Sequence, residues 1–136
     1  MKLVVDTNRV IAALVKDSYS RRVLLSDKFE FFSLAFGRQE LDKYRGYVLE
    51  KSGLTDAQFD VLVDALFHRV SVLEDSVVQS RMPEAKAVMD LVDSKDTPFI
   101  AAALAVSADG VWSEDPHFAS QELVRVFRTK DLTALI

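Results

Sequence analysis

The chain has 136 residues, 49% hydrophobic and 28% charged, with 17 Lys and Arg against 21 Asp and Glu for a formal charge of −4. That length suits one domain with a real core, and so few Gly and Pro beside so many apolar residues exclude a disordered chain. Zero Cys excludes a disulfide framework, a thiolate zinc site and a cysteine nucleophile, and His68 and His117 alone are too few for a histidine metal cage.

Leu3-Val4-Val5 predicts a buried strand that stops at Asp6. A short helix then follows from Asn8, on Val10, Ile11 and Leu14, and Ser20 is a candidate cap for a second on Val23, Leu24 and Leu25. Phe29 to Leu34 reads as a second strand, and Gly37 to Glu50 as one longer helix striped by Leu41, Tyr44 and Val48. Gly53 breaks the chain, and Thr55-Asp56-Ala57-Gln58 is a capping-box signature. The helix it opens carries Phe59, Leu62, Val63, Leu66, Phe67 and Val70 at i, i+3, i+4, i+7 spacing.

Ser71-Val72-Leu73 predicts a short strand, and Pro83 opens a helix on Ala85, Val88, Met89 and Val92. Phe99 to Val106 is apolar on every side, the mark of a helix buried in the core. Val111-Trp112-Ser113 and Val124 to Phe127 are the last strands, and Asp131 is a candidate cap for a terminal helix. Strands alternating with helices predict an α/β fold with a parallel sheet covered on both faces. No signal-peptide pattern opens the chain and no apolar run approaches the roughly 18 residues of a membrane span, so the expectation is a cytoplasmic protein with no membrane role.

In an open parallel sheet, ligands gather beyond the carboxyl ends of the strands. Asp6 and Asp115 lie just past two such ends, although Asp6-Thr7-Asn8 also reads as a helix cap and Asp115-Pro116 as a turn opener. Glu40 shares a helical face with Phe36 and Tyr44, so its carboxylate needs a cation or a basic partner such as Arg38 or Lys43. Asp96 precedes Pro98 at the start of the buried helix, where capping and metal binding are both open to it. Asp93, nearby, is a rival or auxiliary carboxylate. Four acids at strand ends and helix starts suit a hard divalent cation such as Mg²⁺ or Mn²⁺. Crowded without metal, they should raise at least one carboxyl pKa.

Val4-Val5-Asp6-Thr7-Asn8, Glu40 on a mid-chain helix, Asp96-x-x-x-x-Ala101 and Ser113-Glu114-Asp115-x-x-Phe118 together resemble the PIN-domain family. The resemblance spans essentially the whole chain and rests on four short motifs in order. It implies a three-layer α/β/α sandwich on a parallel sheet of about five strands, as a single PIN-like domain over residues 1–136. It also implies a metal-dependent ribonuclease, in many members the toxin of a toxin–antitoxin pair. By resemblance Asp6, Glu40, Asp96 and Asp115 hold one or two Mg²⁺ or Mn²⁺ ions, while Asn8 and Ser113 orient the site. A homodimer and an antitoxin that blocks the acidic groove are further implications.

The net charge divides unevenly. Residues 1–51 hold 10 basic and 7 acidic residues, or +3, and residues 52–136 hold 7 and 14, or −7, which together recover −4. Arg9, Arg38 and Lys43 fall in the basic part near Asp6 and Glu40 and are candidate contacts to an RNA backbone. Trp112 reads as core, His68 as solvated, and His117 as a plain loop histidine, with a contact to substrate as its alternative. Competing readings are an inactive PIN-like module that binds RNA or protein, and an aspartate-based phosphotransfer domain. The second lacks the further aspartate that it needs where Asn8 stands.

Overall fold

The computed structural model describes every residue except Asp17, and describes Phe36, Gly37 and Arg38 only as helical backbone. Among the described residues, β1 (Lys2–Val5), β2 (Glu30–Leu34), β3 (Val70–Leu73), β4 (Gly110–Trp112) and β5 (Val126–Phe127) form one sheet in the order β3-β2-β1-β4-β5. Every pairing is parallel, and β1 lies at the centre with Val5 opposite Trp112. Alternation along β1 divides the core: Leu3 and Val5 face one helical layer, Val4 the other.

The first layer contains α1 (Thr7–Val15), α2 (Tyr19–Leu25), α3 (Ala35–Lys43), α4 (Arg45–Ser52), α5 (Asp56–His68) and α9 (Thr129–Thr133). The second contains α6 (Asp75–Gln79), α7 (Met82–Asp93) and α8 (Thr97–Ala105). This is the three-layer sandwich that the motifs implied. Ala101, Ala102 and Ala103 bring α8 close to the sheet, and all three are buried. None of the described helices is long and apolar enough to cross a membrane.

Several boundaries differ from expectation. The predicted helix over 37–50 is two helices that part at Tyr44, whose ring is exposed, so only Leu41 and Val48 keep the buried stripe. Ser18, not Ser20, precedes α2, and Ser20 is buried inside its first turn. Val70 belongs to β3 rather than to the helix before it, because pairing with Phe31 takes its backbone. The capping box at Thr55 and Gln58 is present, and Gly53 ends α4 with φ +72, a conformation that favours glycine. Asp131 sits at the third position of α9 and accepts the Arg128 N–H at 2.8 Å.

Candidate active site

The chain winds outward from β1 to β2 and β3 on one side, and to β4 and β5 on the other. The junction of β1 and β4 is therefore the topological switch point, where loops diverge and leave a crevice. Asp6 follows β1 directly, and its backbone N–H extends the ladder to the Trp112 carbonyl at 3.0 Å. Its side chain is buried and each oxygen accepts one hydrogen bond: Oδ1 from the Asn8 N–H at 3.2 Å and Oδ2 from the Ser113 hydroxyl at 2.6 Å. The cap reading of Asp6 thus describes one oxygen only. Ser113 in turn accepts the Asp115 N–H at 2.9 Å, and Asp115 Oδ1 accepts the His117 N–H at 2.9 Å, opening the 3₁₀ turn Pro116–Ser120.

Asp96 precedes α8 but its carboxylate makes no cap bond; the Phe99 N–H turns instead to the Asp96 carbonyl at 3.1 Å. Pro98 has no N–H to be capped. Asp96 Oδ2 is left shielded from solvent with no hydrogen-bond donor, and so is Thr7 Oγ1. Both residues line one cleft of about 570 Å³ with Asp6, Glu40, Asp93 and Asp115. Glu40 enters from α3 and Asp93 from the end of α7, where its Oδ1 accepts the Lys95 N–H at 3.0 Å. All four acids of the ordered motifs, and Asp93 as well, therefore meet in one place.

The crowding has an electrostatic consequence. Burial pushes the Asp96 carboxyl up to about 6, reinforced by the negative charges of Asp93, Asp115 and Asp6 and opposed by His117. One raised carboxyl was the expectation for the metal-free cluster, and Asp96 is that group. His117 is the residue that sequence reasoning missed. Its Nδ1 lies 3.3 Å from Asp93 Oδ2, 3.5 Å from Asp115 Oδ1 and 3.7 Å from Asp96 Oδ2. The available signal was its place two residues after Asp115, on a turn that carries it back over the same strand end.

A family model for the PIN domain matches residues 4–130. The chain belongs to the PIN-domain family. No curated protein matches it significantly by sequence. Among solved structures, a chain of VapBC2 from Rickettsia felis, crystallised bound to a DNA fragment from their promoter, shares the fold with a TM-score of 0.67. Identity is 17%, and the match covers 94% of this chain and 98% of that one.

In this PIN domain the basic residues of the first third have divided fates. Lys43 lines the acidic cleft, as does Lys95, which was not anticipated. Arg9 instead lines a neighbouring cleft of about 690 Å³ that begins at Asn8 and includes Tyr19, Tyr44 and Tyr47. The side chain of Arg38 lies outside the described residues. Arg21 is occupied in closing α1, donating to the Ala13 and Leu14 carbonyls at 2.7 and 3.4 Å. Arg45 bridges Asp56 and Asp60 and lies over the Phe59 ring. Glu114, which lines that neighbouring cleft, accepts the Thr129 N–H and the Arg128 guanidinium. Burial raises its carboxyl, but those donors outweigh burial and hold the pKa below its ordinary value. Trp112 is core, with its indole N–H on Thr129 Oγ1 at 3.1 Å.

Proposed function

We propose that residues 1–136 form a single PIN nuclease domain, a Mg²⁺- or Mn²⁺-dependent endoribonuclease that hydrolyses RNA phosphodiester bonds. Asp6, Glu40, Asp96 and Asp115 hold one or two ions, with Asp93 as an auxiliary ligand. The observation that carries this reading is the convergence of five carboxylates from separate elements in one cleft, with a shielded and donorless oxygen on Asp96. A buried anionic oxygen without a donor is costly, and a cation relieves that cost. The donor set is mostly carboxylate oxygen, which suits a hard divalent ion.

Such an ion, when bound, lowers the pKa of water and neutralises charge on the scissile phosphate. Ser113 and the Asn8 backbone N–H fix the Asp6 carboxylate in one orientation. The His117 backbone N–H occupies only Oδ1 of Asp115 and leaves Oδ2 for the site. Carboxylate oxygens facing the cleft accept the proton released from attacking water, directly or through a second water. Lys43 in the acidic cleft and Arg9 in the neighbouring one meet the RNA backbone on either side of the scissile position. Two divalent ions carry four positive charges, enough to cancel four carboxylates, so RNA binding depends on metal.

Under the same proposal the protein is a cytoplasmic, homodimeric toxin paired with an antitoxin; the fold shared with a VapBC2 chain supports the toxin role and the partner. The deciding experiment incubates wild-type protein and Asp6→Asn with labelled RNA in Mg²⁺, Mn²⁺ or EDTA. Cutting in either metal, absent in EDTA and in the variant, is the expected result. RNA binding without cutting under every condition would overturn the nuclease reading in favour of a binding module.

A further inference from the structure

We propose that His117 supplies a nitrogen ligand to a divalent ion shared with Asp93 and Asp96, and so tilts the site toward first-row transition ions, Mn²⁺ among them, over Mg²⁺. The inference rests on the metal-dependent reading above and adds to it a ligand from outside the set of acids.

One ligand atom from each of Asp93, Asp96 and His117 falls within 4.8 Å of the other two. An octahedral ion with bonds of about 2.1 Å separates adjacent ligands by about 3 Å and opposite ones by about 4.2 Å. The 3.3 and 3.7 Å separations from Nδ1 to the two carboxylates therefore fit adjacent positions on one ion after small movements. They are too long for a charge-assisted hydrogen bond, which runs about 2.7–2.9 Å, so no single carboxylate holds the imidazole. The side chain is half exposed and has room to turn.

The backbone that carries it is not loose. Its N–H is bound by Asp115, and the next residue, Phe118, is fully buried with its ring edge-on to Phe99 at 6.1 Å. Phe99 lies in the first turn of α8, three residues from Asp96, so core packing sets the turn opposite that carboxylate. A neutral imidazole is a common ligand for first-row transition ions, whereas Mg²⁺ favours oxygen and retains its waters.

The chain contains only two histidines, and the other, His68, is exposed on α5 in the opposite helical layer. Pulsed EPR of the full chain loaded with Mn²⁺ therefore reads the ligand directly, as ¹⁴N coupling to the ion. The coupling is expected in wild type and in His68→Gln and lost in His117→Gln. In His117→Gln the Mn²⁺ affinity should fall about tenfold or more. Mg²⁺ affinity should stay within about twofold, because an all-oxygen set suffices for that ion. Bound Mn²⁺ without nitrogen coupling in wild type, or coupling that persists in His117→Gln, overturns this inference and leaves the acidic metal site standing. Failure of Mn²⁺ to bind at all overturns both.

Discussion

Ser113 donates its hydroxyl hydrogen to Asp6 Oδ2 across 2.6 Å, tying the end of β4 to the end of β1 over 107 positions of sequence. Both side chains are buried, so water cannot replace the bond if it is lost. A hydrogen bond to a charged group contributes about 1.5–3 kcal/mol. Ser113→Ala should lose an amount in that range in urea unfolding and should also cleave RNA more slowly, because Asp6 is freed to rotate. Equal stability of variant and wild type would show that the contact does not hold the site.

Asp96 makes the metal-free protein sensitive to pH. Its carboxyl rises from 3.8 to about 6 in the folded state, so the folded chain binds that proton more tightly than the unfolded one. The stability it contributes is fully present below 3.8 and is lost as pH rises through about 6. Asp96→Asn removes the repulsion, and its thermal midpoint without metal should exceed that of wild type at pH 7 by a few degrees. The difference should vanish near pH 4. A difference independent of pH between 4 and 7 would contradict the electrostatic account.

Metal should reverse that ranking. Free Mn²⁺ at about 100 times its dissociation constant adds about 2.7 kcal/mol to the unfolding free energy of wild type by linkage. The rise should disappear on addition of EDTA and be much smaller in Asp96→Asn, which is the more stable protein without metal and the less responsive one with it. Thermal melts across a Mn²⁺ series check both halves, and an equal response in the two proteins would remove Asp96 from the ligand set.

Gly110 tests how β4 is seated. A Cβ there would stand 2.5 Å from the Arg125 carbonyl oxygen and 2.7 Å from the Phe127 ring, so the two strands would have to part. Overpacking of this kind costs about 1–3 kcal/mol. Gly110→Ala should lose at least that in denaturant unfolding, together with activity, since β4 leads directly to Ser113 and Asp115. An unchanged midpoint would mean that the β4–β5 edge gives way easily.

Much of the fold was legible from local signals. The alternation of apolar runs with helical stripes gave the parallel α/β order, and the caps at Thr55, Gly53 and Pro83 mark real helix ends. Where local signals misled, a tertiary contact had overridden them. Tyr44 carries the spacing of a continuous helix, yet its backbone leaves helical geometry at φ −95, ψ 4, while Leu41 of α3 and Val48 of α4 pack into the same core. Val70 matches the helical stripe but pairs with β2.

The acids at positions 6, 40, 96 and 115 could be singled out from sequence because strand ends and helix starts are written in short, local patterns. Whether each carboxylate is engaged by its own chain or left facing the cleft is a different matter. Asp115 and Asp96 look alike as cap residues, but Asp115 caps a turn with its side chain and Asp96 leaves Oδ2 without a donor. The same holds for the cations, since Arg21 and Arg45 are occupied by groups 7 to 15 positions away, while Lys95 turns into the cleft. His117, read from sequence as a loop histidine, gains three carboxylate neighbours only when α7, α8 and the turn after β4 come together. Periodicity and capping act over a few residues and can be read along the chain. Hydrogen bonding, charge crowding and ligand spacing act across space, and only the packed sheet and its two helical layers decide them.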